Sequence, residues 1–240
     1  MAKVFQKDSV SIVVPALNEE THLAQAVEVM IGAAESRFED YEILVFDDGS
    51  TDRTGEIADK LAARHEKVQA FHNRRPTCLG GVIREGYRHA RMEYAIWVDG
   101  KGATPRESLD RIFERRGEAD LVIPYATNAR ERNVLRRFVS RSFRTVLNVL
   151  FRLDLKHYTH SVLVKTSVAK RFCIGTNSYA YQAEALIRML RAGHTYVQVG
   201  VRDVFDNEGR STKAFQPRNV IGVCGFVLRM LWEVYVKRGR

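Results

Sequence analysis

Cysteine is scarce in this chain: Cys78, Cys173 and Cys224 are the three among 240 residues. Their spacing matches no zinc-ligand pattern, which argues against a disulfide-stapled scaffold or a structural zinc site and suits a reducing compartment. Each thiol is expected as a small buried apolar residue. Long apolar runs are missing as well. The longest stretch of apolar residues and glycine, Val220 to Leu228, is far shorter than the roughly 20 residues that cross a bilayer. The chain is therefore expected to touch a membrane without crossing it. The N-terminal "MAKVFQKDSVSIVVP" lacks the apolar core of a secretion signal. Low-complexity tracts and internal repeats are missing too. At 45% hydrophobic and 28% charged residues, the composition is that of an ordinary folded domain with room for one sizeable core.

Positive charge is in excess. Lys and Arg number 38 against 29 Asp and Glu, a formal net charge of +9, which favours an anionic partner such as a phosphate group, a nucleic acid or an acidic membrane surface. No nucleic-acid-binding motif accompanies the charge, so no nucleic-acid partner is expected.

The first half alternates between two periodicities. Apolar strands are expected at Val10 to Val14, Tyr41 to Phe46, Val68 to Phe71, Tyr94 to Val98 and Asp120 to Pro124. Between them lie helical patterns at Glu20 to Ala33, Thr54 to Arg64, Leu79 to Ala90 and Arg106 to Arg116. Strict alternation predicts βαβ units: an α/β fold with a mostly parallel central sheet and helices on both faces. Ligands of such sheets bind beyond the carboxyl ends of the strands. Those ends read "PALNEE" (Pro15 to Glu20), "DDGSTD" (Asp47 to Asp52) and "DGKG" (Asp99 to Gly102). Any one carboxylate there serves equally well as a helix cap, and Asp47 to Thr51 are placed to cap the helix that begins at Thr54. Three acidic strand ends together point to a site for a metal–phosphate or a nucleoside.

These residues resemble a known family. "SIVVPALNEE", "EILVFDDGSTDRT" and "AIWVDG" are similar to the nucleotide-binding half of family 2 glycosyltransferases of the GT-A (Rossmann-like) fold. The branch they resemble most is the polyprenyl-phosphate, dolichyl-phosphate mannose synthase-like group. The likeness runs from about Ser9 to about Lys213. It implies an inverting hexosyltransferase that moves a sugar from a nucleotide-sugar donor to a membrane lipid acceptor, a polyprenyl phosphate, in glycolipid biosynthesis. It also implies that Pro15, Leu17, Glu19, Phe46, Asp48, Asp99 and Gly100 hold the nucleotide. Asp99 takes the place of the first aspartate of the family's Asp-x-Asp metal motif, where Mg²⁺ or Mn²⁺ would bridge to the donor phosphates.

The second aspartate is replaced by Lys101, which leaves one carboxylate. Either the ammonium stands in for the metal beside the diphosphate, or the domain has lost turnover and binds nucleotide or lipid as a regulatory or scaffold subunit. Further departures are Ala126 for an arginine, Asp206 for an arginine near "DNEGRSTKA", and His157 for an aspartate in "HYTHS". Asp99, Lys101, Arg210 and Lys213 are the candidates for stabilising the leaving diphosphate.

From Arg132 to Arg152 runs a stretch without acidic residues, in which arginines flank Leu135, Phe138, Val139, Val146 and Leu150. The spacing predicts a basic amphipathic helix over about 132–153. It lies either in a membrane interface or on the core with a solvated basic face. Arg136, Arg137, Arg141, Arg144, His157 and Glu184 are the candidates for acceptor or lipid contact, with His160 nearby. A second amphipathic basic helix is expected over 216–240, after a single domain spanning 1–215. It would serve as an interfacial anchor, a lid on the core or a contact with another copy. The expected setting is the cytoplasmic face of a membrane, held peripherally; the lack of a spanning segment leaves room for a membrane-protein partner, and the C-terminal segment for a homo-oligomer.

Overall fold

The computed structural model describes residues 6–172, 180–204 and 225–236. A seven-stranded sheet runs through its centre. Its strands are β1 (Gln6–Ala16), β2 (Asp40–Asp47), β3 (Val68–His72), β4 (Met92–Trp97), β5 (Leu121–Ala126), β6 (Leu163–Lys165) and β7 (Tyr196–Val201). They lie in the order β3-β2-β1-β4-β6-β5-β7. β1 pairs in parallel with β2 and β4, β2 with β3, and β5 with β7, whereas β6 is antiparallel to both of its neighbours. The mostly parallel α/β sheet expected from the alternation is therefore present. The short reversed strand is an addition that the alternation did not reveal.

Alternation along each strand builds two cores on opposite faces. Val13, Leu44, Phe46, Ala95 and Trp97 point to one core. Val10, Ile12, Val14, Ile43, Val45 and Ile96 point to the other. The second core is covered by α1 (Leu23–Glu35), α2 (Thr54–Arg64) and α4 (Arg106–Glu114), which contribute Leu23, Val27, Leu61, Leu109 and Phe113. The first is covered by α3 (Leu79–His89), α5 (Val134–Phe151), α6 (Thr166–Arg171) and α7 (Tyr181–Arg191). A C-terminal helix over 225–231, continued by a π-helical turn at Trp232–Val236, adds Phe226 and Met230 to the same core. The described part of the C-terminal segment is thus integral to the domain. α3 approaches the sheet so closely that a Cβ on Gly86 would stand 2.2 Å from Val13 Cγ1.

α5 has two apolar faces. Leu147 and Phe151 are fully buried in the core. Val134, Leu135, Phe138, Val146 and Val149 are exposed. At 100° per residue these five span one arc, bordered by Arg137, Arg141 and Arg144. One side of the helix is thus core-packed, and the other presents an exposed apolar arc. The C-terminal helix lies beside it, with Tyr235 Oη donating to the Leu150 carbonyl at 2.6 Å, and also exposes Leu228, Trp232 and Tyr235.

Candidate active site at the carboxyl ends of the strands

Because β6 alone is reversed, β1, β2, β3, β4, β5 and β7 all end on one side of the sheet. The first two loops there are bonded to each other. Asn18 N–H donates to Ser50 Oγ at 3.0 Å and Thr51 N–H returns to Asn18 Oδ1 at 2.9 Å. Glu19 N–H donates to Thr54 Oγ1 at 2.8 Å, Glu20 N–H to Asp52 Oδ2 at 3.2 Å, and Arg53 N–H to Glu20 Oε2 at 3.1 Å. Asn18 sits at φ +55°, a left-handed conformation that asparagine tolerates. Pro15 and Glu19 are partly buried on this platform and Leu17 is exposed.

The carboxylates divide their work. Asp47 Oδ1 accepts from Ser50 N–H at 3.0 Å and closes the turn, while Asp52 Oδ1 takes the Thr54 amide at 3.0 Å at the head of α2. Arg53 holds the N-cap position of α2 without a side-chain capping bond, so the cap expected from Asp47 to Thr51 is not formed, and of the helical amides Asp52 bonds only the first. Asp47 Oδ2 lies 3.3 Å from His72 Nδ1, and His72 Nε2 lies 2.9 Å from Asp59 Oδ1. The Asp59 bond, reinforced by Asp47, raises the His72 pKa above the usual histidine value. Asp48 Oδ1 accepts from Thr77 N–H (2.8 Å), Thr77 Oγ1 (2.9 Å) and Asn73 Nδ2 (2.8 Å), so it fixes the loop after β3. Gly49, at φ +79°, allows that loop to pass 3.2 Å from where its Cβ would be.

The third strand end follows. Asp99 is partly buried and its Oδ1 accepts from Ala103 N–H at 3.2 Å. Gly100 N–H donates to the Pro15 carbonyl at 3.1 Å, which joins this loop to the first. Lys101 is exposed and makes no ion pair with the described residues, so the alternative in which it pairs with Asp99 is not seen. Beneath the loop, Trp97 Nε1–H donates to Gln182 Oε1 at 3.0 Å and its ring meets Tyr181 edge-on at 5.9 Å. Burial, with smaller help from Tyr87 and Asp99, pushes the Tyr181 phenol well above its usual value.

A further cluster lies across from Asp99. Val204 N–H donates to the Ala103 carbonyl at 3.2 Å, which sets the end of β7 against the Asp99 loop. Next to it, Asp203 Oδ1 lies 2.9 Å from His160 Nε2, both side chains being well buried. His160 Nδ1 is buried and has no hydrogen-bond partner among the described residues. His157 meets His160 edge-on at 6.1 Å and bonds Thr159 Oγ1 at 3.0 Å. Burial pushes His157 down to about 4, aided by His160, Arg132 and Arg144. The bond from His160 and the nearby positive groups hold Asp203 below the usual carboxylate range against its burial. Asp203 was not singled out in the sequence; only the pairing of β5 with β7 brings it here.

The remaining sequence candidates fall in different places. Phe46 is buried in the core and stacks on Phe71 at 4.6 Å, away from the nucleoside position implied for it. Glu184 is fully buried, with Oε1 on Arg188 Nε at 3.1 Å and Oε2 on Arg229 Nη2 at 2.7 Å, so it ties α7 to the C-terminal helix. Arg137 and Arg141 are exposed on α5, and Arg136 and Arg144 are partly buried there. Cys78, expected in the interior, is an exposed free thiol. Arg210 and Lys213, with Asp206, Cys173 and Cys224, lie outside the described residues.

Comparison with known proteins follows this geometry. Residues 11–180 match the family described as glycosyl transferase family 2. The chain is 28% identical over 242 residues to glycosyltransferase AglD of Haloferax volcanii, covering 95% of this chain and 38% of that protein. It is 31% identical over 133 residues to undecaprenyl-phosphate 4-deoxy-4-formamido-L-arabinose transferase of Edwardsiella ictaluri, covering 55% of this chain and 41% of that one. The chain thus spans about two fifths of the length of these curated relatives. Glucosyl-3-phosphoglycerate synthase of Mycobacterium tuberculosis, crystallised with Mg²⁺ and uridine diphosphate, superimposes with a TM-score of 0.68. That match has 15% identity and covers 95% of this chain and 79% of the synthase, a likeness of fold.

Proposed function

The chain belongs to glycosyl transferase family 2, and from that premise we propose that it is an inverting hexosyltransferase carrying a sugar from a nucleotide-sugar donor to a polyprenyl phosphate at an anionic membrane surface. The observation that carries this reading is the outward face of α5. Five exposed apolar residues flanked by arginines, beside the C-terminal helix with its exposed Trp232, suit a helix lying at headgroup depth. Among the described residues no helix is long and apolar enough to cross a membrane. Contact with a cytoplasmic leaflet would be through the apolar face of α5.

Pro15, Leu17, Glu19, Asp48, Asp99 and Gly100 would receive the nucleotide between the bonded loops. The fixed loops hold the donor so that its anomeric carbon faces the acceptor oxygen, which lowers the barrier by orientation. Lys101, with Arg210 and Lys213, would neutralise the diphosphate as it departs. One displacement at that carbon inverts its configuration.

The residues present do not build a protein cage for a divalent ion. Asp99 is one carboxylate, Asp47 and Asp48 are committed to turn and loop bonds, and no three of His, Cys, Asp and Glu converge among the described residues. Mg²⁺ is commonly held by one or two carboxylates together with substrate phosphates and water, so Asp99 and the donor diphosphate would hold such an ion, which would supply charge neutralisation at the leaving group. The second reading, motivated by Lys101 in place of the second aspartate, is a domain that binds donor or lipid without turnover. Calorimetric titration of UDP-, GDP- and dTDP-linked sugars, with EDTA and then with Mn²⁺, separates the two when paired with transfer to phytanyl phosphate in vesicles. Binding that survives EDTA, falls in Lys101→Ala and leads to transfer supports the transferase with a lysine in the metal's place. Binding without transfer supports the second reading, and binding of no donor defeats the transferase and leaves the second reading only its lipid-binding form.

A further inference from the structure

His72 stands at the end of β3 with a carboxylate on each ring nitrogen. It is in register with Asp47 at the end of β2. Its Nδ1 lies 3.3 Å from Asp47 Oδ2, and its Nε2 lies 2.9 Å from Asp59 Oδ1 of α2. An ionised carboxylate only accepts hydrogen bonds. A neutral imidazole has one N–H, so it satisfies one of the two carboxylates and turns a lone pair on the other; only the imidazolium donates to both. α2 packs on the pair at Gly55, where a Cβ would stand 2.9 Å from Asp47 Oδ2 and 3.4 Å from His72 Nδ1. The charged side chains that face the ring are thus Asp47 from β2 and Asp59 from α2, both acidic.

Asp47 carries this contact into the loops at the strand ends. Its Oδ1 accepts from Ser50 N–H at 3.0 Å, and its carbonyl accepts from Asn73 N–H at 2.9 Å. Ser50 Oγ in turn accepts from Asn18 N–H of the first loop at 3.0 Å. Resting on the reading above that these loops receive the nucleotide, we propose that His72 is a positioning residue for the donor. As the imidazolium it fixes the Asp47 carboxylate, and through it the Gly49–Ser50 turn, in the form that admits the nucleotide sugar.

Water reaches the ring, so its proton can come and go. The His72 side chain is 42% exposed, whereas Asp47 is 10% exposed. When a proton leaves, the N–H that remains serves the nearer carboxylate, Asp59, and the Nδ1 lone pair faces Asp47 Oδ2. That oxygen loses its donor, and the carboxylate no longer holds the Ser50 amide in one place. Solvent at the ring screens the charge, which keeps the effect on donor affinity to a few-fold. By reciprocity, a bound donor favours the imidazolium and raises the pH at which His72 titrates. The bond to Asp59, helped by Asp47, already places that pH above the usual histidine value.

The test titrates UDP-, GDP- and dTDP-linked sugars calorimetrically into the full chain, for wild type, His72→Gln and Asp59→Asn, from about pH 6 to about pH 8.5. For a donor that binds, wild-type affinity should fall by about threefold to fivefold as pH rises through the His72 titration. His72→Gln should bind with a flat profile. Asp59→Asn should keep the fall and move it to lower pH, because the ring loses its strongest partner. A flat wild-type profile, or a fall that persists unchanged in His72→Gln, would overturn the proposal.

If no donor binds, the reading of these loops as a donor site fails on its own, and the role of His72 is still decided without a ligand. ¹⁵N spectra of the free chain follow the His72 ring and the Ser50 amide against pH. The Ser50 amide should titrate with the midpoint of the His72 ring and lose that titration in His72→Gln. A Ser50 amide that ignores the His72 titration would end the proposal.

Discussion

Replacing Phe138 and Leu135 together by serine removes apolar area that the fold itself does not use. Phe138 is 68% exposed and Leu135 55% exposed, so core stability should change little. Full burial of such a side chain contributes about 1.5–3 kcal/mol. The part still available for burial in a membrane interface is then about 1–2 kcal/mol for Phe138 and about 1–1.5 kcal/mol for Leu135. Their joint loss of about 2–3 kcal/mol lowers vesicle partitioning by roughly 30- to 150-fold, at about 1.4 kcal/mol per tenfold. Co-sedimentation with phosphatidylglycerol vesicles measures it, with phosphatidylcholine vesicles as the uncharged control. Arg137→Gln with Arg141→Gln should behave differently. Each arginine contributes about 1 kcal/mol near an anionic surface, and salt screens that term, so their loss should show at low ionic strength and fade at high. Serine variants that partition like wild type, with their fold intact, would refute the reasoning and return α5 to the role of a plain surface helix.

Gly86→Ala should destabilise the domain by about 1–3 kcal/mol, since its Cβ would collide with Val13 in the centre of the sheet; chemical denaturation reads this directly. Glu184→Gln should lower stability by about 2–3 kcal/mol, below the cost of breaking a fully buried pair because Arg188 and Arg229 are partly solvated; its signature is early release of the C-terminal helix in hydrogen exchange. His157 titrates near 4 when folded and near 6.5 when unfolded. Below about pH 6.5 the unfolded chain binds the extra proton, so stability falls as pH drops from about 6.5 through about 4, by up to about 3 kcal/mol. His157→Asn should flatten that limb in urea melts at stepped pH. His72 has the opposite sign: its raised pKa stabilises the fold below about 6.5 and loses that effect as pH rises through its folded value, which His72→Asn should abolish.

The parallel half of the sheet was readable because each buried strand is a compact β-branched run between helices of clear period. The Thr54–Arg64 helix falls where its pattern places it. β6 was hidden because three residues carry no period, although it alone runs against the other strands and joins the sheet's halves. α5 was read as a single stripe because its core face and its outward face are both apolar. The three acidic strand ends were legible as a cluster. The sequence did not reveal which carboxylates are already committed: Asp48 depends on Thr77, and Glu184 depends on Arg229, 45 residues further along. The His160–Asp203 contact needs β7 beside β5, a neighbour relation that no local pattern encodes.

β6 also sets where the molecule would part under load. β1, β2, β3 and β4 are laced by long parallel ladders, and β5 with β7 by another, with six residue pairs in register. Between these halves stand only Tyr94↔Lys165 and Ala95↔Val164 on one side, and Leu121↔Val164 and Val122↔Leu163 on the other. A ladder yields where its rungs are fewest, so β6 is the seam along which the sheet would shear if its ends were pulled apart. The nucleotide-side loops would stay together on one piece, and His160 and Asp203, which follow β5 in the chain, would go with the other.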